Sequence, residues 1–252
     1  MITFYDISNN LRSPLPPSPY CWRTRLCLNY KQVKFSTEYV PYSNIATFAK
    51  EKGIPPTAVQ PDGSPKYTLP AIYDSDKGTY ISDSFKIAQY LDEKYPDTPR
   101  LVPEKTAALQ AAWEAIYNPI HMKLVPLNVV KVLETLDPVS FEFAKKHVEG
   151  LFGRSWEAIV QAAEPDQAGW KDVEKDVALW LQYLDIRNAT DRKGVWVIGS
   201  EFSFADSVIG GVFFSTKALW GEQSEQWKLV KNWSGGRWVE YIDSMEKYTA
   251  VV

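Results

Sequence analysis

A change of pattern at the proline-rich stretch 96–103 constrains the fold of this chain more than any other feature. Before this stretch, strand-like and helical runs alternate in the order βαβ, α, ββα. Beyond it, apolar residues recur with the spacing of about 3.6 residues that is typical of helices, almost to the end of the chain. Prolines stiffen a connection, so the stretch is typical of a linker. The sequence predicts an α/β domain over 1–97 and an all-α domain over 104–252.

Apolar periodicity and turn residues place the elements within each domain. Strands are expected over 2–7, 35–40, 70–73 and 79–81, and helices over 18–31, 43–52 and 83–95. Further helices are expected over 106–136, 139–162, 168–188, 203–220, 223–231 and 236–247. Ser82 or Asp83 caps the third helix of the α/β domain. Pro119 and Pro126 interrupt or kink the first helix of the all-α domain.

Bulk composition excludes several classes of function. With 28 basic against 31 acidic residues the net charge is −3, so a broad basic face for nucleic acid is not expected. No apolar run approaches the length of about eighteen residues that a membrane span needs. The amino-terminal segment 1–6 lacks the basic and apolar regions of a secretory signal. Cys21 and Cys27 are too few and too close for a disulfide framework, which indicates a reducing, cytoplasmic compartment.

The two histidines, His121 and His147, have no nucleophile or metal-ligand partner at a suitable sequence spacing. Both are interpreted as ordinary residues, and no metal is expected.

The segment Ser18-Pro19-Tyr20-Cys21 is similar to the Cys-Pro-Tyr-Cys redox motif of glutaredoxins, with a hydroxyl in place of the attacking thiol. A serine cannot supply the thiolate that attacks disulfides. Ser18 is a good helix N-cap and Pro19 suits the first helical position, where orphan amides point outward. The motif therefore predicts a hydroxyl that donates a hydrogen bond to a thiolate supplied by a ligand. Cys21 is interpreted as a small buried packing residue.

Four segments together resemble the soluble glutathione transferases, in which a thioredoxin-like domain precedes an all-helical domain. They are S-P-Y-C-W-R-T-R-L from Ser18, T-L-P-A-I from Thr68, S-D-S followed by I-A-Q-Y-L from Ser82, and S-F-A-D-S from Ser203. Each alone is also an ordinary cap or turn, but their joint order favours the family. The W-R-T-R continuation and the Pro-rich loop 13–17 are closest to fungal transferases related to bacterial β-aryl-etherases.

The resemblance implies a site for glutathione as co-substrate. Ser18 is the implied catalytic residue, and a cis bond at Leu69-Pro70 lets the Leu69 backbone pair with the cysteinyl part of the tripeptide. Asp83 and Ser84 are implied to hold the γ-glutamyl ammonium and carboxylate. The glycyl carboxylate needs a cation, for which Lys50, Lys52 and Lys66 are the candidates. Ser203 and Asp206 are implied to form a capping box that serves folding. A homodimer is implied as well.

Aromatic residues indicate the second-substrate pocket. The sequence has ten tryptophans, which either form a large helical core or in part line a cleft for flat, apolar ligands. Trp113, Tyr117 and Asn118 are the candidate pocket residues, and they face either the cleft or the core. The Pro-rich loop 13–17 is expected to form one wall. Hydrophobic aromatic small molecules are the predicted partners.

These residues predict an enzyme that activates the glutathione thiol for attack on hydrophobic aromatic electrophiles or aryl ethers, a role in detoxification. A free thiol has a pKa of about 8.5, and a hydrogen bond to its ionised form lowers that value by roughly one to two units. The alternative is a glutathione-bound ligandin that sequesters aromatic metabolites with little turnover. A third interpretation is an interaction module like those attached to translation factors, which predicts a damaged glutathione site and not the motif residues present here.

Overall fold

The computed structural model describes residues 1–10, 17–163, 168–190 and 194–252, without the side chains of residues 118, 187, 189 and 190. Its amino-terminal part is an α/β layer structure. The strands are β1 (Ile2–Ile7), β2 (Phe35–Val40), β3 (Ala58–Val59), β4 (Pro65–Lys66), β5 (Ala71–Asp74) and β6 (Thr79–Ser82). The helices are α1 (Pro19–Tyr30), α2 (Ile45–Lys52) and α3 (Ser84–Lys94).

Four of these strands form one mixed sheet in the order β2-β1-β5-β6. β1 pairs in parallel with β2 and antiparallel with β5, so it lies in the middle of the sheet. Successive side chains of a strand point to opposite faces. Phe4 accordingly lies under the guanidinium of Arg25 from α1, while Tyr5 packs edge-on against Phe48 of α2. Helices therefore cover both faces of the sheet, as the sequence predicts for a thioredoxin-like domain.

Short strands β3 and β4 form a separate hairpin that the sequence analysis did not predict. Each strand has two residues, and the connecting turn contains Gly63 with a φ of +82°. Val59 is 72% exposed. Strands this short show no detectable alternation of apolar and polar residues.

The rest of the described chain is helical, as predicted. Its helices are α4 (Ala107–Glu134), α5 (Pro138–Phe152), α6 (Trp156–Ala162), α7 (Ala168–Thr190), α8 (Phe204–Trp220), α9 (Glu225–Lys231) and α10 (Arg237–Asp243). The single helix expected over 139–162 is two, because Gly153 ends α5 in the left-handed conformation with a φ of +59°. α4 continues through Pro119 and Pro126 and is not interrupted. Among the described residues, no helix is both long and apolar enough to cross a membrane.

Helix α8 is the centre of the second domain and packs against α1 of the first. Asp206 anchors its start: the carboxylate accepts from the Ser203 amide at 2.8 Å, from the Val197 amide at 2.7 Å and from the Tyr241 hydroxyl. Burial raises the pKa of Asp206, and the hydrogen bonds from these three donors oppose that rise. The capping box of Ser203 and Asp206 is confirmed as a structural element.

Candidate functional site

The topology of the sheet brings the predicted glutathione residues to one end. Tyr5 of β1 lies opposite Ala71 of β5, and Ala71 lies opposite Ser82 of β6. The carboxyl end of β1 leads to α1, the amino end of β5 follows Leu69-Pro70, and the carboxyl end of β6 leads to Asp83. Ser18, Leu69-Pro70 and Asp83 therefore emerge from the same end of the sheet.

Ser18 is the N-cap of α1, as predicted. Its backbone is extended, Pro19 fills the first turn, and its Oγ accepts a hydrogen bond from the Cys21 amide at 3.3 Å. The side chain is half-buried. A hydroxyl has one donor and two acceptor positions, so the cap does not use its proton. The same hydroxyl also interacts with the Cys21 thiol. The residues of α1 from Cys21 to Leu28 are buried, and a helix dipole acts more strongly where solvent does not screen it.

A buried ion pair lies beneath the start of α1. Asp6 of β1 accepts from Arg25 Nη2 at 3.0 Å and from the Ile7 amide at 2.7 Å, and both side chains of the pair are fully buried. Burial raises the pKa of the Cys21 thiol, the charge of Asp6 and a hydrogen bond with it raise that pKa further, and a hydrogen bond with Ser18 and the charge of Arg25 oppose the rise. Cys21 is thus a buried, protonated thiol, which confirms the interpretation as a packing residue.

Asp83 is the N-cap of α3, which settles the choice between Ser82 and Asp83. Its Oδ1 accepts from the amides of Phe85 and Lys86, each at 3.0 Å, and no described residue bonds Oδ2. Its φ of +79° is unusual for a residue with a side chain, and such conformations cluster at functional sites. Ser84 is buried at 4% exposure, directly at the start of the helix. The pair places the unbonded Oδ2 of Asp83 beside the start of α3.

The peptide bond between Leu69 and Pro70 is cis, as predicted. Leu69 is 6% exposed and Pro70 is buried, immediately before β5. The structure does not select one of the three candidate cations for the glycyl carboxylate, because Lys50, Lys52 and Lys66 are all exposed. Lys50 lies over the ring of Tyr67, and Lys52 lies over the ring of Phe48.

A buried cation joins the two domains one helical turn beyond Ser18. Arg23 is fully buried, its Nη1 donates to Glu114 of α4 at 2.5 Å, and its guanidinium lies between the rings of Tyr20 (4.2 Å) and Tyr117 (4.7 Å). Its Nε and Nη2 have no partner among the described residues. Burial raises the pKa of Tyr20, and the negative charge of nearby Asp83 also raises it. Tyr20 thus contacts a cation that is paired with α4.

The candidate pocket residues on α4 have different environments. Tyr117 is fully buried and stacks on Trp180 at 5.6 Å. Trp113 is half-buried and stacks on the same indole at 6.2 Å. The side chain of Asn118 lies outside the described residues, as do residues 13–16 of the Pro-rich loop. Tyr117 is therefore packed like a core residue. Direct contact of Trp113, Tyr117 or Asn118 with a ligand stays a prediction.

His121 of α4 contacts two tyrosines near Ser18. Its Nδ1 lies 3.0 Å from the Tyr117 hydroxyl, and its ring packs edge-on against Tyr20 at 5.1 Å. Tyr117 and His121 meet because residues four apart on a helix face each other. Among the described residues, no cluster of His, Cys, Asp or Glu could hold a metal.

Comparisons with known proteins agree with this geometry. The model of the glutathione S-transferase N-terminal domain matches residues 17–94, and that of the C-terminal domain matches residues 108–248. Glutathione S-transferase-like protein ustS of Aspergillus flavus is 28% identical over 219 residues, which are 82% of this chain and 76% of the relative.

Two crystal structures of fungal proteins are similar over the whole chain. Glutathione transferase GSTFuA3 from Phanerochaete chrysosporium is 33% identical with a TM-score of 0.92, covering 100% of this chain and 98% of that one. CsGST63524 of Ceriporiopsis subvermispora, solved in complex with glutathione, is 34% identical with a TM-score of 0.91 and the same coverage. With both domain models matched in order and a thioredoxin-like domain followed by a helical one, the chain belongs to the glutathione S-transferase family.

Proposed function

We propose that this protein is a glutathione transferase of the serine type, in which the Ser18 hydroxyl activates the glutathione thiol for attack on hydrophobic aromatic electrophiles or aryl ethers. The observation that carries the proposal is the bonding of Ser18. Its Oγ caps α1 as an acceptor from the Cys21 amide, so the cap fixes the side chain without using its proton. A hydroxyl held in this way can donate to an anion at the helix start.

The expected shift follows from the energy of one charged hydrogen bond. Such a bond is worth about 1.5–3 kcal/mol, which lowers a thiol pKa by roughly one to two units. The positive end of α1 adds to this, typically by about 0.3–1 kcal/mol. From a starting value of about 8.5, the thiolate then becomes a major species at neutral pH. This way of ionising the thiol needs no general base.

Binding needs the other residues of this end of the sheet. The free Oδ2 of Asp83 supplies the negative charge for the γ-glutamyl ammonium, while the start of α3 at Ser84 suits the carboxylate. The Leu69 backbone suits strand-like pairing with the cysteinyl residue. The thiolate then forms a bond from sulfur to the electrophilic carbon, and the leaving group departs with the electron pair of the bond that breaks.

Replacing Ser18 by alanine tests the proposal. We expect the pKa of bound glutathione to rise by roughly one to two units, with conjugation reduced and glutathione affinity little changed. The thiolate is measured by ultraviolet titration of the bound tripeptide. Ser155→Ala is the matched control, because Ser155 caps α6 through the same kind of contact, Oγ to the Ala158 amide at 3.4 Å. A thiolate pKa in Ser18→Ala equal to that of the parent would refute the role of Ser18.

The ligandin function is distinguished in the same experiments. Steady-state assays with glutathione and a panel of electrophiles and aryl ethers measure turnover, while fluorescence titration measures binding of the same aromatic compounds. Tight binding without turnover across the panel would favour the ligandin. The homodimer stays a prediction, which light scattering of the whole chain tests.

A further inference from the structure

His121 lies on the side of the Ser18 region that faces the second domain. It belongs to α4, and its ring packs edge-on against Tyr20, two residues after Ser18 in the chain. The residue is half-buried. Its Nε2 makes no hydrogen bond to a described residue.

The hydrogen bond to Tyr117 fixes which ring nitrogen carries the proton. The Tyr117 side chain is fully buried, so its hydroxyl proton needs an acceptor. Among the described residues the acceptor it reaches is Nδ1 of His121, at 3.0 Å. A neutral imidazole has one acceptor and one donor nitrogen. When Nδ1 accepts, Nε2 carries the hydrogen, and that N–H is a donor with no partner among the described residues.

The surroundings keep this imidazole neutral. Burial and, to a smaller extent, the Arg23 cation lower the pKa of His121 to about 4. Among the described residues, the titratable groups in contact with the ring are the hydroxyls of Tyr20 and Tyr117, and the Glu114 carboxylate is paired with Arg23. At neutral pH the ring is therefore a hydrogen-bond donor without charge.

Resting on the proposed function, we propose that His121 is a specificity-determining residue that donates from Nε2 to an oxygen of the electrophile on which negative charge develops. In an aryl ether, the sulfur–carbon bond forms, the carbon–oxygen bond breaks, and its electron pair stays on the oxygen as a phenolate that water then protonates. In an aryl enone, the sulfur–carbon bond forms and the π pair moves to the carbonyl oxygen as an enolate, which water protonates at carbon. Both oxyanions suit a preorganised neutral donor.

This inference defines the preferred electrophiles by chemistry. Aromatic compounds whose reacting carbon is bonded to or conjugated with oxygen gain from the donor. Benzyl halides do not, because the charge leaves on a halide that accepts hydrogen bonds weakly. The ratio of the two activities therefore reports on His121, while the glutathione thiolate is common to both.

The test compares kcat/KM for an aryl enone and for benzyl chloride in the parent, His121→Phe and His121→Gln. We expect His121→Phe to lower the ratio of enone to chloride by at least about tenfold, as the loss of one hydrogen bond to an oxyanion predicts. His121→Gln, whose amide also donates, restores part of it. The thiolate pKa of bound glutathione stays unchanged in both variants. His147→Gln is the control, because His147 is exposed on α5.

An unchanged ratio in His121→Phe, or a loss that is equal for both electrophiles, overturns the inference. If the parent turns over neither electrophile, the proposed function fails, but difference spectroscopy with nitrophenolate still tests His121. The parent and His121→Gln should then bind nitrophenolate more tightly than His121→Phe, and equal affinities overturn the inference.

Discussion

A single glycine on α8 controls how closely the second domain approaches Ser18. Gly211 faces the start of α1, and a Cβ built on it would lie 2.4 Å from the Pro19 carbonyl oxygen and 3.2 Å from Arg23 Cγ. Ordinary carbon–oxygen contacts begin at about 3.3 Å. The Pro19 carbonyl would therefore have to retreat by roughly 1 Å. It belongs to the backbone and cannot rotate away as the end of a side chain can.

Gly211→Ala should therefore move the residue that adjoins Ser18. Overpacking a well-packed interface costs about 1–3 kcal/mol of stability, which an alanine offsets in part by its better helix propensity, worth about 1 kcal/mol. The larger effect concerns function, since a misplacement of about 1 Å at a reacting group costs on the order of a hundredfold in rate. We expect a folded protein with a raised pKa for bound glutathione and conjugation reduced by about that factor.

Gly210→Ala is the matched control. A Cβ there would meet Leu26 Cδ1 at 2.7 Å and Met245 Sδ at 2.8 Å, which are both side-chain ends. These atoms can move without displacing the backbone of α1, and methionine adapts readily. The free energy of unfolding is measured by denaturant unfolding, and the thiolate pKa of bound glutathione is measured by ultraviolet titration. Turnover is measured with benzyl chloride as the electrophile. If the two variants keep equal thiolate pKa values and equal turnover, α8 does not position Ser18 and the argument is wrong.

Two further predictions concern the other capping residue and the motif itself. Asp83→Asn keeps a good N-cap but removes the charge, so glutathione affinity in isothermal titration should fall with stability unchanged, whereas Asp83→Ala should also lose about 1 kcal/mol of unfolding free energy; unchanged affinity in both would exclude Asp83 from the site. Ser18→Cys restores the Cys-Pro-Tyr-Cys sequence at a helix start that lowers thiol pKa values. It should gain reduction of glutathione mixed disulfides in a coupled assay, and no gain would place position 18 away from the glutathione sulfur.

Local sequence signals predicted most of the fold because each element carries its own start and stop. Ser18 with Pro19 begins α1, and Gly53 in the left-handed conformation ends α2. The predicted elements were wrong where a strand was too short to show a pattern or where the apolar spacing fitted one helix as well as two. The hairpin β3–β4 has strands of two residues, and Gly153 divides a region whose apolar spacing looks continuous.

The site was predictable to the extent that it depends on the same local signals. Ser18 and Asp83 were found because each is a cap next to a helix start. The contact of Arg23 with Glu114 joins positions 91 apart in the chain, and spacing cannot reveal such a pair. His121 and Tyr117 lie four apart, but that spacing is also typical of a core stripe. The structure adds what the spacing lacks: Tyr117 is fully buried, and its hydroxyl lies 3.0 Å from Nδ1 of His121.

At the two capping residues, Ser18 and Asp83, a structural role and a ligand-binding role do not exclude each other. A serine or aspartate before a helix was weighed as either a structural cap or a ligand-binding group. At Ser18 the cap uses an acceptor position of the hydroxyl, which leaves the proton. At Asp83 the cap uses Oδ1 for both amides, which leaves Oδ2. In each case the structural bond orients the atom that remains for a ligand, at the positive end of a helix dipole. The capping hydrogen bond both fixes the side chain and orients its remaining polar atom, so a helix start of this kind needs no further residue to position its functional group.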